Sequence, residues 1–183
     1  MRHALVEAAV ELLIERGWGA TTAVAVCERA RCTRGALIHH YPSLSALFAH
    51  ALESLYDGLT GSAHPPPKTM KSLVDGVWRV VGDRRFKAVM EAWSAAGNDP
   101  ELASELRPAI TRFAKLVSPD SAGPNGALRS EDARAFYLMA REAMLGLALG
   151  RATNRARPLG HEKVVLARLR AEATRIDQDQ EAR

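Results

Sequence analysis

Residues 29–48, RARCTRGALIHHYPSLSALF, decide the fold of this chain. A helical pattern ends within this stretch, and Thr33 then supplies a side-chain oxygen that caps a second short helix over residues 34–40. Pro42 ends this second helix, because proline disfavours the helical conformation of the residue before it. Two short helices joined by a turn of three or four residues predict a helix–turn–helix unit.

The segments on both sides of this unit are helical as well. Thr22 is a suitable N-cap for the first helix of the pair, and Ser43 is a suitable N-cap for a longer helix over about residues 44–59. Upstream, residues 3–16 place apolar side chains at the 3.6-residue period, opposite three glutamates. These side chains are Leu5, Ala8, Ala9, Leu12 and Leu13 on one face and Glu7, Glu11 and Glu15 on the other.

The two short helices have an inner and an outer face. Small and apolar side chains form the inner face, which is expected to pack against a supporting helix: Val26, Cys27, Ala30, Cys32, Leu37 and Tyr41. The outer face, near the front of the second helix, contains Thr33, Arg34, Gly35, Ile38 and His39. Threonine and arginine at such positions meet phosphates or base edges, and arginine favours guanine.

The remainder of the chain also has helical patterns. GSAHPPPK, residues 61–68, marks a boundary, because three prolines do not continue a helix and favour an extended spacer. Further helices are predicted near residues 69–81, 84–97, 100–117, 130–154 and 161–178, and SPDSAGPNGA, residues 118–127, is the longest irregular stretch. The sequence shows no strand alternation. The prediction is an all-α chain with a small N-terminal unit and a larger helical one.

Composition and charge limit the possible functions. The 183 residues carry a net charge of +4, and no run of about 18 apolar residues predicts a membrane span. Glutamates at positions 7, 11 and 15 interrupt the apolar start of the chain, which does not resemble a signal peptide, so a cytoplasmic location is expected. Residues 1–60 contain five arginines and six acidic residues. DNA binding there would therefore depend on a local cluster of cations.

The cysteines and histidines do not predict a metal site. Cys27 and Cys32 are spaced neither as zinc ligands nor as a C-x-x-C redox pair, and both are expected to be small buried apolar residues. His39 and His40 diverge by about 100° on a helix, which separates them as ligands of one ion. We expect His39 to face a DNA backbone and His40 to pack near the first helix. The sequence lacks a Gly-rich phosphate loop, an H-E-x-x-H motif and a nucleophile elbow, so neither a cofactor nor an enzymatic activity is predicted.

Residues 5–52, LVEAAVELLIERGWGATTAVAVCERARCTRGALIHHYPSLSALFAHAL, resemble the N-terminal domain of the tetracycline-repressor (TetR) family of transcriptional regulators. The shared features are an Ala-Ala pair in the first helix, a Gly-aromatic-x-x-Thr-Thr junction and the element TRGALIHHYPS. The resemblance implies a ligand-responsive repressor that acts as a homodimer on a pseudo-palindromic operator in double-stranded DNA. It implies a DNA-binding domain over residues 1–48, a connecting helix over residues 44–60 and a helical effector-binding and dimerisation domain over residues 61–183.

The resemblance also implies a DNA-binding surface, formed by Thr21, Thr22, Thr33, Arg34, Gly35, Ile38, His39, Tyr41 and Ser43. Thr22 and Ser43 have two interpretations, since each caps a helix whether or not that helix N-terminus also meets a phosphate. Tyr41 is a core aromatic residue, with a hydroxyl that either stays within the chain or reaches a phosphate.

Three residues depart from the usual pattern of the family. Arg31 stands where the family usually has glycine, in a turn that often has positive φ, and keeping that conformation costs about 1 kcal/mol. Ile38 and Leu44 replace a tyrosine and a lysine that commonly contact phosphate, and losing these contacts weakens non-specific affinity and its salt dependence. The alternative function is therefore a helical ligand-binding or protein-interaction module with weakened DNA binding.

The C-terminal domain is expected to bind an unidentified, partly apolar small molecule and to form the dimer. The expected pocket residues are Trp78, Phe86, Met90, Trp93, Phe113, Tyr137, Arg141 and Met144, although such residues also fill the core of a helical domain. The helix near residues 130–154 is apolar on more than one face, and the resemblance implies a four-helix dimer seam built from it and the following helix. The expected dimer residues are Leu138, Leu145, Leu149, Val165, Leu169 and Ile176.

Overall fold

The computed structural model describes residues 1–61, 67–119, 128–154 and 157–182. Within these residues the chain forms nine α-helices and no β-strand, which confirms the all-α prediction. The helices are α1 (Arg2–Arg16), α2 (Ala23–Ala30), α3 (Arg34–His40), α4 (Leu44–Thr60), α5 (Met70–Val81), α6 (Phe86–Ala96), α7 (Pro100–Leu116), α8 (Glu131–Thr153) and α9 (Glu162–Glu181). Most of the predicted irregular stretches 61–68 and 118–127 lies outside the described residues.

The predicted N-caps start the helices at the front of the chain. The hydroxyls of Thr22, Thr33 and Ser43 each accept a hydrogen bond from the backbone N–H three residues later, at 3.2, 3.2 and 3.0 Å. Each cap satisfies one of the N–H groups that a helix start leaves without an intrahelical acceptor. Together the caps fix where α2, α3 and α4 begin.

The turn between α2 and α3 closes through the backbone of Arg31 and Cys32. Arg31 has φ 52° and ψ 47°, the left-handed conformation, which confirms the positive φ expected at this position. Its N–H donates to the carbonyl of Glu28 at 3.2 Å, while the N–H of Cys32 donates to the carbonyl of Cys27 at 2.9 Å. This pair of bonds is the Schellman motif, which ends α2 and turns the chain into α3.

The predicted inner face is confirmed as the core of this region. Val26, Leu37 and Tyr41 are at most 3% exposed, and they pack with the apolar face of α1 and with α4. Cys27 is buried, and Cys32 packs against the same cluster, as expected for small apolar residues. Burying one such side chain contributes about 1.5–3 kcal/mol, so α1 and α4 hold the two short helices in place.

The chain divides into two compact units, residues 1–61 with 87–113 and residues 62–86 with 114–183. The predicted domain 1–48 lies within the first unit. In that unit the α6 residue Glu91 accepts a hydrogen bond from the backbone N–H of Trp18 at 2.7 Å. Trp18 begins a 3-10 turn, Trp18–Ala20, which the sequence did not predict.

The second unit packs α5 against α8 and α9. Arg151 of α8 donates two hydrogen bonds to the buried carboxylate of Glu162, at 2.7 and 2.5 Å, and one to the carbonyl of Gly82 at 2.5 Å. Its guanidinium also lies over the Trp78 ring, 4.9 Å from the centroid. Among the described helices, none has the length and apolar character needed to cross a membrane.

Candidate nucleic-acid interface

Helix α3 presents one continuous exposed arc. With about 100° between successive residues, positions 34, 38, 35 and 39 follow one another around roughly 140° of the helix. Arg34, Gly35, Ile38 and His39 are all exposed, and Ile38 retains 55% of its accessible surface. Leu37, on the opposite side, is buried. The outward orientation predicted for this face is therefore confirmed.

The cations near α3 differ in their availability. Arg29 of α2 is paired within the unit, because its guanidinium lies 2.8 Å from the carboxylate of Glu11 and 2.7 Å from that of Glu15. The hydrogen bond from Arg29 lowers the pKa of the Glu15 carboxyl. Arg31 and Arg34 are exposed, and neither pairs with a carboxylate in the part of the chain that the structure describes. The unpaired positive charge beside α3 is thus local, and it comes from the turn and from the first residue of the helix.

A third arginine, Arg2, reaches the end of α3 from the start of α1. Its Nε donates to the Tyr41 hydroxyl at 3.3 Å, its Nη2 lies 2.8 Å from Nε2 of His50, and its guanidinium lies 5.4 Å from the centroid of the Tyr41 ring. Arg2 and His50 are exposed, whereas Tyr41 is 1% exposed. No local pattern in the sequence predicts this position of Arg2, because its partners are 39 and 48 residues away.

The remaining predicted contact residues lie in different environments. Thr22 is exposed at the start of α2, and Ser43 is half-buried at the start of α4. Thr21 is 4% exposed, and its hydroxyl donates to the carbonyl of Gly17 at 2.8 Å. The Thr21 side chain is therefore already used in closing the junction between α1 and α2.

The two adjacent histidines contact each other at the end of α3. The His39 and His40 rings lie 5.2 Å apart, edge to face, with His39 exposed and His40 half-buried. In residues 1–61, 67–119, 128–154 and 157–182, no group of three His, Cys, Asp or Glu side chains is arranged to hold a metal ion.

The sequence profile described as "Bacterial regulatory proteins, tetR family" matches residues 5–51, the region of α1 to α4 that forms this surface. The resemblance to the TetR family is confirmed. Residues 5–51 therefore form an N-terminal domain of the TetR type, and α2 and α3 are its helix–turn–helix. Comparison with curated proteins finds none that matches the chain.

Solved structures of regulators share the fold over nearly the whole chain. A transcriptional regulator from Rhodococcus sp. Rha1 has 21% identity and a TM-score of 0.69, over 97% of this chain and 96% of that chain. The multidrug binding protein EbrR, solved in complex with imidazole, has 20% identity and a TM-score of 0.67, over 96% and 94%. A TetR transcription regulator from Haloarcula marismortui has 15% identity and a TM-score of 0.64, over 97% and 96%.

The expected pocket residues do not all belong to one unit. Met90, Trp93 and Phe113 belong to the first unit. There Trp93 donates to the Tyr56 hydroxyl at 2.9 Å, and Phe113 stacks on the Tyr56 ring at 4.7 Å. Burial raises the pKa of the Tyr56 hydroxyl. These aromatic side chains form an internally hydrogen-bonded cluster.

The other expected pocket residues belong to the second unit: Trp78, Phe86, Tyr137, Arg141 and Met144. Phe86 and Met144 are fully buried. The Tyr137 hydroxyl donates to the carbonyl of Val117 at 2.7 Å, and burial raises the pKa of Tyr137 to about 12. Arg141 also donates to this carbonyl, at 3.5 Å, and pairs with Glu142 at 2.6 Å.

The expected dimer residues lie along α8 and α9. Leu138 and Leu149 are exposed, Leu145, Val165 and Leu169 are half-buried, and Ile176 is 8% exposed. Met139 and Val164 are exposed to 65% and 72%, although the sequence did not single them out for the interface. A surface groove of about 450 Å³ runs between these two helices. Its lining combines apolar residues, Ala135, Phe136, Met139, Leu169 and Ile176, with charged ones, Asp132, Arg168, Glu172 and Arg175.

Proposed function

We propose that the chain is a homodimeric, ligand-responsive repressor that binds a pseudo-palindromic operator. The observation that carries this proposal is the exposed arc of α3, capped by Thr33 and held from behind by the buried Leu37 and Tyr41. Two such helices, one from each protomer, would enter successive major grooves on one side of the duplex. The arc has the chemistry for direct readout, because an arginine and an apolar side chain stand one helical turn apart.

Six of the nine predicted contact residues have a proposed role in DNA binding here. Arg34 donates to the major-groove edge of a guanine, while Thr33 and His39 contact the flanking backbone. Thr22 and Ser43 direct the starts of α2 and α4 toward phosphates. Tyr41 acts through Arg2, which its hydroxyl helps to hold. The Thr21 side chain supports the junction of α1 and α2 and is left out of the proposed contacts.

The dimer is proposed to form through α8 and α9. Their exposed apolar residues, Leu138, Met139, Leu149 and Val164, form a surface that a second copy would cover. The open groove lined by Met139 and Leu169 supports the same interface. C2 symmetry would place the same patch of each copy against its counterpart, which also sets the spacing of the two α3 helices.

The effector is proposed to contact α8 as well. Tyr137, Arg141 and Met144 follow one another at four and three residues, and therefore lie on the same side of α8. A hydroxyl, a guanidinium and a thioether at this spacing suit a partly apolar molecule with one polar group. The multidrug binding protein EbrR, which shares this fold, was solved in complex with imidazole, and this supports a small-molecule effector. Effector binding would be allosteric only if the ligand has different affinities for two states of the dimer that differ in the spacing of the α3 helices.

The DNA-binding proposal is tested by gel shifts with fragments selected from genomic DNA. Arg34→Ala is expected to reduce the binding free energy by about 1–3 kcal/mol per half-site and to relax the preference for one guanine. Arg31→Ala is expected to weaken binding to all fragments alike. It should also make the slope of the logarithm of the binding constant against the logarithm of the salt concentration shallower by about 0.9 per protomer. Arg107→Ala, at an exposed position of α7, is the matched control and should change neither property. Failure to retain any fragment at low salt would refute DNA binding.

Sedimentation at micromolar concentration tests the dimer. The chain is expected to sediment as a dimer, and Met139→Glu is expected to shift it toward monomer, because the substitution places a charge within the proposed interface. Ser104→Glu adds the same charge at an exposed position of α7 and should leave the dimer intact. A monomer in the unaltered chain would remove this part of the proposal.

A further inference from the structure

The glycine at position 35 has no explanation in the fold. A Cβ added to Gly35 would meet the Thr33 hydroxyl at 3.8 Å, an ordinary van der Waals contact. Its φ is not positive, and it lies inside α3. Glycine within a helix costs about 0.5–1 kcal/mol relative to alanine. The residue is therefore unfavourable for the isolated chain, and any requirement for it comes from a molecule that approaches α3 from outside.

The isoleucine at position 38 is equally unexplained by packing. More than half of its surface is exposed, although its neighbour Leu37 provides the buried contact of the helix. Gly35 and Ile38 are three residues apart, so they lie beside each other on the surface of α3. The arc thus consists of a bare stretch of backbone with a branched aliphatic side chain next to it, and Arg34 lies one turn before that side chain.

We infer that Ile38 reads the methyl group of a thymine in each half-site, while Gly35 lets the helix backbone approach the base edges closely enough for that contact. Thymine is the base that presents an apolar group, its C5 methyl, in the major groove. A β-branched side chain with restricted rotamers offers a defined surface to that methyl group. Arg34 on the same arc contacts a guanine, so each half-site contains a guanine and a thymine within reach of one helical turn. This inference rests on the proposed DNA-binding function.

The experiment removes the methyl group from the DNA rather than from the protein. Operators are selected from random duplexes with the full-length chain, and each thymine of the half-sites is replaced in turn by deoxyuridine. One thymine per half-site is expected to respond, with a loss of affinity of about fourfold, the effect of one methyl group withdrawn from an apolar contact. Replacing this thymine in both half-sites should lower the affinity about 16-fold, because the free-energy changes at two distant sites add.

A double-mutant cycle assigns this contact to Ile38. With Ile38→Ala, replacing the responsive thymine by deoxyuridine is expected to leave the affinity unchanged. Val24→Ala, which alters an exposed apolar residue on α2, should still lose affinity about fourfold on the same replacement. Ile38→Ala should also leave the salt slope unchanged, since no cation is removed. Equal losses in the unaltered chain and in Ile38→Ala, or no thymine that responds at all, would overturn the assignment.

Gly35→Ala tests the close approach. The added methyl group makes only an ordinary van der Waals contact with the Thr33 hydroxyl in the free chain, so the melting temperature should stay the same or rise. Operator binding should weaken by about tenfold or more, because the methyl group keeps the helix backbone away from the base edges. Unchanged operator binding would overturn the inference about Gly35. If the full-length chain selects no operator, the proposed DNA-binding function fails, and the inference fails with it. An operator that is selected but insensitive to deoxyuridine refutes the inference alone.

Discussion

Replacing Arg31 with glycine is expected to stabilise the chain. The left-handed conformation at this position, φ 52° and ψ 47°, costs about 1–2 kcal/mol in a residue with a Cβ, and glycine adopts it freely. Glycine also loses more conformational freedom on folding, which costs roughly 0.5–1 kcal/mol. The first effect is larger, so the free energy of unfolding should rise by roughly 0.5–1 kcal/mol.

Thermal unfolding followed by circular dichroism measures this gain. In a chain of this size the melting temperature should rise by roughly 1–4 °C. Arg31→Ala is the matched control: it removes the same guanidinium, keeps the Cβ and should bring no such gain. Ala30→Gly moves the glycine one residue back into the helical end of α2, where it should cost roughly 0.5–1 kcal/mol. If Arg31→Ala stabilises the chain as much as Arg31→Gly does, charge and not backbone conformation is responsible, and the reasoning is wrong.

Three further substitutions test other parts of the structure. Glu162→Gln breaks the bidentate pair with Arg151, which lowers the pKa of the Glu162 carboxyl, and it should cost about 2 kcal/mol near neutral pH. Because the folded-state pKa is depressed below 4.5, this stability is present above that pH and is lost as the pH falls through the folded-state value, so thermal scans of the two chains should converge in acid. Burial raises the pKa of the Cys27 thiol, which lowers its reactivity. The variant Cys32→Ser, which retains only Cys27, should therefore react with a thiol reagent more slowly than Cys27→Ser, which retains only Cys32; the reverse order would contradict this. Thr33→Ala removes the cap of α3 and should lower the stability measured without DNA by about 1 kcal/mol, whereas Thr33→Ser should preserve it.

The sequence predicted the local structure well because its signals act over a few residues. The caps at Thr22, Thr33 and Ser43 each bond to an N–H group three residues away, and this spacing can be read directly from the chain. The outward face of α3 follows from the 3.6-residue period in the same way. The positive φ of Arg31 came from the resemblance to the TetR family, and the backbone confirms it.

The tertiary structure decided how distant side chains are used. Arg29 and Arg34 look alike in the sequence, but folding pairs Arg29 with two glutamates of α1 and leaves Arg34 exposed on α3. Arg2 reaches Tyr41 across 39 residues, and Glu91 accepts the Trp18 N–H across 73. Such contacts follow from how helices pack, which no local pattern encodes. The sequence by itself therefore determined the helices, their caps and the face of α3, whereas only the folded chain determined which cations that face has available, because pairing depends on three-dimensional proximity.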